Sequence, residues 1–173
     1  MDDRQADTRR PLIAGNWKMH KLPSEANAWT REFIAKLDES VQATGPLTCD
    51  VALAVPYTHL PGMSRQAYGS RLWLGAQDVS AHAEGAYTGE VSAAMLKDTG
   101  ARCVVVGHSE RRAYHGEDDA LVKQKVLRSL EVGLTPILCV GESRAQRDAG
   151  DAEAVVVAQL GRALDGVTLS DAG

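Results

Sequence analysis

Short apolar runs and longer amphipathic stretches alternate along this chain, and that alternation predicts its elements. Leu12–Trp17, Cys49–Val55, Leu72–Gln77, Cys103–Gly107 and Thr135–Val140 are rich in Val, Leu, Ile and Ala. None alternates apolar with polar positions, which predicts parallel strands covered on both faces. Between them the period lengthens. Trp29, Phe33, Leu37 and Val41 recur every four residues and trace one face of a helix. Val122, Val126 and Leu130 do the same. Asp118 and Asp119 stand in that helix's predicted first turn, with Lys123, Lys125 and Arg128 after them, the order a helix dipole favours. A last helix is expected over Ala152–Leu164, on Val156, Leu160 and Leu164.

The order is β-α repeated five times, at intervals of roughly 25 to 40 residues, as in βαβ units. Two α/β architectures fit it: an open doubly wound sheet, or the first part of an eight-fold barrel. There is no internal sequence repeat and no low-complexity linker. The expected organisation is a charged tail over residues 1–11 and one domain over residues 12–173. The polar stretch Asp165–Gly173 reads as a helix stop and loop.

Composition narrows the function classes. With 173 residues the chain is long enough for one core, and its net charge of −4 offers no basic face to a nucleic acid. A small phosphorylated substrate remains open, since it needs only one or two placed cations and some backbone N–H groups. Cys49, Cys103 and Cys139 have no metal-ligand spacing, and each lies in or beside an apolar run. Buried, reduced thiols in a cytoplasmic protein are therefore expected, with no bound metal. The charged first ten residues lack the apolar stretch of a secretory signal, and no run approaches membrane-spanning length. No membrane partner is expected. Neither a GxGxxG after the first strand nor a Walker motif is present, so nucleotide binding lacks its usual loop.

The polar residues collect at the carboxyl ends of the predicted strands: Asn16-Trp17-Lys18, Gln77-Asp78, His108-Ser109-Glu110 and Gly141-Glu142. In a parallel α/β protein those ends share the face that carries the site. There Lys18 suits a phosphate or a developing enolate oxygen, and Asn16 suits a neighbouring loop or the substrate. His108, at a predicted helix start, suits a neutral hydrogen-bond donor. Ordinary roles stand beside these: Lys18 as a solvated loop residue, Asn16 as a turn former, His108 as a turn cap. Glu110 and Glu142 are the strand-end carboxylates with a pull toward acid/base chemistry; complementing a helix dipole is the favoured reading for Glu142 and a competing one for Glu110. His20, His59, His82 and His115 show no ligand-like pairing and are expected at the surface. A Cys139–His108 thiol hydrolase gains little support, because Cys139 lies inside an apolar run.

Four segments in register resemble the triosephosphate isomerase family. They are Ala14-Gly15-Asn16-Trp17-Lys18-Met19, Gly75-Ala76-Gln77-Asp78 with Gly85-Ala86-Tyr87-Thr88-Gly89-Glu90, Val106-Gly107-His108-Ser109-Glu110-Arg111-Arg112, and Pro136-Ile137-Leu138-Cys139-Val140-Gly141-Glu142. The resemblance runs from about Leu12 onward and implies a partial (β/α)8 barrel of about five βα units. It implies an isomerase interconverting dihydroxyacetone phosphate and glyceraldehyde 3-phosphate through an enediolate, in glycolysis and gluconeogenesis, with no cofactor. By it, Asn16, Trp17 and Lys18 bind the substrate, and His108 is the electrophile and proton shuttle. Glu110 and Ser109 support His108. Thr88 rides a loop that enters the neighbouring subunit of a homodimer, where Glu90 and Arg111 pair across the interface. Asp78 and Tyr87 stand where the family more often has Asn and Phe, and are expected at that interface.

The family's proton-abstracting glutamate, lid and main phosphate loops belong to a sixth strand and beyond, and no residue here matches them. The chain alone is therefore expected to be inactive. The alternative is a non-catalytic fragment that works only by pairing with a partner chain. Another phosphosugar-binding barrel ranks below both, since it would lack the Asn16-Trp17-Lys18 and His108 pairing.

Overall fold

The computed structural model describes residues 10–168. Most of the expected charged tail, and the end of the polar stretch Asp165–Gly173, lie outside the described residues. The strands are β1 Leu12–Asn16, β2 Asp50–Val55, β3 Leu72–Ala76, β4 Cys103–Val106 and β5 Thr135–Leu138. Each falls within an expected run; β2 starts one residue later, and the other four stop one or two residues earlier. The helices are α1 Pro23–Thr44, α2 Leu60–Ala67, α3 Ala93–Asp98, α4 Ser109–His115, α5 Asp119–Glu131, α6 Arg144–Asp148 and α7 Ala152–Ala163, with a 3-10 turn at Tyr57–His59.

All four strand pairings are parallel, and the sheet order is β1-β2-β3-β4-β5. That order decides between the two architectures. A doubly wound sheet starts in the middle and reverses direction, whereas a barrel adds each strand beside the last. The sheet curls into a partial barrel.

Alternation along the strands separates two faces. Leu53, Val55, Leu72, Leu74, Ala76, Val104 and Val106 join one core cluster with Leu60, Met63, Leu96, Val122 and Val126 from the helices. Ala52, Ala54, Gly75, Cys103 and Val105 alternate with them on the concave face. At Gly75 no side chain fits: a Cβ there would lie 2.5 Å from the Cys103 Sγ. Cys103 is buried as expected, but Cys49 and Cys139 are only half-buried, and Cys139 lies just past β5.

The expected helix faces are present. Trp29 and Phe33 pack on the core from α1, and Val122 and Val126 are buried on α5. α1 starts with Pro23, and the Glu25 carboxylate accepts the Leu22 N–H. Asp118 caps α5 by accepting the Leu121 N–H. Lys125, read from the sequence only as one of the cations that follow Asp118 and Asp119, has its side chain buried between two carboxylates. On α7 the expected stripe is only partly covered, with Leu160 at 43% and Leu164 at 37% exposure. The outer strands are open too. All five β1 residues are exposed, and Ile13 is 60% accessible. No helix among the described residues is long and apolar enough to cross a membrane.

Candidate active site

The carboxyl ends of β1, β3 and β4 open onto a cleft of about 370 Å³. Asn16, Lys18, Tyr57, Asp78, His108 and Glu110 are among the residues that line it. The strand-end clustering read from the sequence is thus a real cavity for the motifs that follow the first, third and fourth strands.

β1 ends at Asn16, and the chain then turns so sharply that Lys18 takes a left-handed backbone, φ 54°. The turn is tied down. Asn16 Oδ1 accepts the Lys18 N–H at 2.8 Å, and Gln77 Nε2, just past β3, donates to the Lys18 carbonyl at 2.8 Å. Lys18 Nζ then reaches Glu110 Oε1 at 2.6 Å. The ammonium beside it holds the Glu110 carboxyl below its ordinary value.

β4 delivers His108 in a comparable way. Gly107 sits at φ +69°, where a Cβ would press on Val122, and Arg112 Nε donates to the Gly107 carbonyl at 2.9 Å. That reversal places His108 as the N-cap of α4. Its Nδ1 accepts the Glu110 N–H at 3.2 Å. The Glu110 carboxylate is farther off, 3.5 Å from Nδ1. An Nδ1 that accepts a backbone N–H leaves the ring proton on Nε2, so the geometry sets a neutral donor tautomer.

Behind the cleft wall lies a buried ionic cluster. Lys125, 3% exposed, pairs with Asp78 and Glu117, and Arg111 pairs with Asp78 at 2.9 Å and Glu117 at 2.6 Å. Burial raises the Asp78 pKa, against the bond from Lys125. Burial also acts to raise Glu117, but hydrogen bonds from Lys125 and Arg111 outweigh it and leave that carboxyl low. The Asp78 carboxylate is engaged by these two cations of its own chain. Tyr57 lines the cleft as well, and burial pushes its hydroxyl pKa up.

Not every expected residue faces the cavity. Trp17 is absent from its lining, and its ring meets Trp29 edge-on at 5.0 Å. Ser109 is an exposed first-turn residue of α4. Thr88 and Glu90 line a neighbouring cleft with Arg111 and Glu117. Glu142 pairs with Arg147. His20, His82 and His115 are exposed as expected, but His59 is buried, 4% exposed. Sequence reasoning also missed Gln77 as the tie on Lys18, and Lys125. Gln77 could have been found by its place at a strand end; Lys125 carried no signal.

Comparison with known proteins agrees with this architecture. The triosephosphate isomerase family model matches residues 11–172. The chain is 50% identical over 163 residues to triosephosphate isomerase of Synechocystis sp., covering 94% of this chain and 65% of that one. It is 52% identical over 159 residues to triosephosphate isomerase of Thermus thermophilus, covering 92% and 61%. The crystal structure of triosephosphate isomerase from Bartonella henselae superposes with a TM-score of 0.85 at 35% identity, over 94% of this chain and 65% of that one. The chain therefore spans somewhat less than two thirds of the length of these relatives. By sequence, by strand order and by the residues around its cleft, the chain belongs to the triosephosphate isomerase family.

Proposed function

We propose that this sequence serves the interconversion of dihydroxyacetone phosphate and glyceraldehyde 3-phosphate, a cytoplasmic step of glycolysis and gluconeogenesis. The observation that carries the reading is the convergence of Lys18 Nζ, the Glu110 carboxylate and the His108 ring on one cleft. In that reaction His108 donates from Nε2 to the substrate carbonyl and moves a proton between the two oxygens of the enediolate. The family is itself a standing example of a neutral histidine electrophile beside a helix N-terminus. Lys18 meets the negative charge of the substrate, in competition with Glu110. Asn16 fixes the Lys18 backbone, and Trp17 contributes by anchoring the strand end between them. Ser109 opens the helix whose next N–H sets the His108 tautomer.

The same geometry supports the expectation that the 173-residue chain has negligible turnover alone. Among the described residues, the carboxylates lining the cleft are Asp78 and Glu110. Asp78 is held by Lys125 and Arg111, and Glu110 by Lys18, so neither is free to take a carbon-bound proton. Two assays test these points together. A phosphorylated enediolate analogue is expected to bind the chain and to be lost on Lys18→Met. Turnover is expected to stay at background, and measurable turnover abolished by His108→Gln would overturn the inactivity while supporting the reaction.

A homodimer fits the reading. Thr88 would enter the partner's cleft near Asn16, with Glu90 approaching the partner's cationic wall around Arg111. A second reading, pairing with a partner chain without catalysis, is favoured by the open β1 strand and by Ile13 and Val157, 60% and 61% exposed. Sedimentation separates the two. Thr88→Arg is expected to weaken association through the loop, whereas loss of association in Ile13→Lys alone favours edge pairing.

A further inference from the structure

Lys18 and Lys21 are the non-glycine residues with positive φ among those described, at 54° and 70°. Both lie in the loop joining β1 to α1. A side chain in the left-handed region crowds its own backbone, so such a path persists only where surrounding contacts over-determine it. At Lys18 those contacts are the bonds to Asn16 and Gln77. At Lys21 the hold comes from elsewhere.

His59 closes the 3-10 turn after β2 and is 4% exposed. Its Nε2 lies 3.1 Å from the Lys21 carbonyl and its Nδ1 2.9 Å from Thr58 Oγ1. A carbonyl only accepts, so Nε2 carries the proton and donates, while the Thr58 hydroxyl donates to Nδ1. The ring also stands edge-on to Trp17 at 6.0 Å, and Lys21 Nζ lies over the other ring of that pair, 5.5 Å from the Trp17 centroid. The loop is thus gripped at residue 18 from the β3 side and at residue 21 from the β2 side.

We propose that His59 is a positioning residue, whose Nε2–H···O=C bond to Lys21 holds the β1–α1 loop in the path that presents Lys18 to Glu110 and the cleft. His59 is not among the residues lining that cleft. It acts through the loop. The inference rests on Lys18 being the substrate cation, but its test uses no substrate and so stands or falls separately.

The Glu110 carboxyl, observed by carbon NMR across pH in the whole chain, reports the Lys18 contact. In His59→Gln the amide nitrogen falls near the place of Nε2 and keeps the bond; in His59→Asn it falls near Nδ1 and cannot reach Lys21. The depressed Glu110 midpoint is expected to persist in His59→Gln and to move up toward an ordinary glutamate in His59→Asn. Equal midpoints in the two variants would overturn the proposal, whether both match the parent or both move. If His59→Asn does not fold, the imidazole nitrogen spectrum of the parent chain decides: a protonated Nε2 with bare Nδ1 supports the bond, and the opposite tautomer removes it. Failure of the analogue to bind, alongside a Glu110 that responds to His59, would sink the isomerase reading and leave this one standing.

Discussion

Glu110 and Asp78 face one cleft, yet their surroundings push them in opposite directions. The Lys18 ammonium lowers Glu110, whereas burial raises Asp78 despite Lys125. The signs follow from linkage. Glu110, lowered in the fold, contributes stability that is present above its unfolded value and lost as pH falls through its folded value. Asp78, raised in the fold, opposes folding above its folded value, and that opposition fades as pH falls toward its unfolded value. Lys18→Met should therefore move the Glu110 titration midpoint upward and leave that of Asp78 in place, since Asp78 meets Lys125 and Arg111 instead. Site-resolved carboxyl NMR reads both at once, and an unmoved Glu110 would mean that the pair does not form in solution. The sequence placed both residues at strand ends but made only the surroundings of Glu110 legible. Its place two residues after His108 is visible in the chain, while the partners of Asp78, Arg111 and Lys125, come from distant positions and leave no local trace.

At the scale of elements, the buried cluster is a clasp. Asp78 follows β3, Arg111 lies on α4, Glu117 precedes α5 and Lys125 lies on α5. Truncating one member of a buried, mutually paired set strands the others without solvent. Lys125→Met is expected to lower the unfolding free energy by about 3–5 kcal/mol, read from urea denaturation. A loss under about 1 kcal/mol would show that Arg111 alone satisfies both carboxylates. Periodicity predicted α5 correctly from Val122, Val126 and Leu130 but said nothing of the burial of Lys125, because a 3.6-residue period identifies a face and not what that face meets. The strands were easier. Five unbroken apolar runs mark strands covered on both sides, and only the register, hence the order β1 to β5, had to come from the structure.

Across the whole molecule, protection is uneven. Every residue of β4 is buried and every residue of β1 is exposed, although both belong to one hydrogen-bonded sheet. Amide exchange should follow that gradient, slowest in β3 and β4, faster in β5 and fastest in β1, because sub-global openings start where few apolar contacts hold a segment. Native-state hydrogen exchange measures this directly, and β1 amides as slow as those of β4 would mean that the open edge is covered in solution. The same gradient crosses the cleft. His108 stands on the firm side and Asn16 and Lys18 on the loose one, where Gln77 and His59 hold the loop and the Lys18–Glu110 pair reaches across the cleft.

The left-handed lysine at position 18 sets stability and chemistry against one another. Glycine adopts φ 54° without crowding, so Lys18→Gly should relieve about 1 kcal/mol of backbone strain and melt higher than Lys18→Ala, which keeps the strain. Both lose the ammonium. Selection for thermal resistance alone would therefore drift toward glycine at this position and erase the ammonium that meets Glu110 in the cleft, so the most stable residue here and the charged one are not the same.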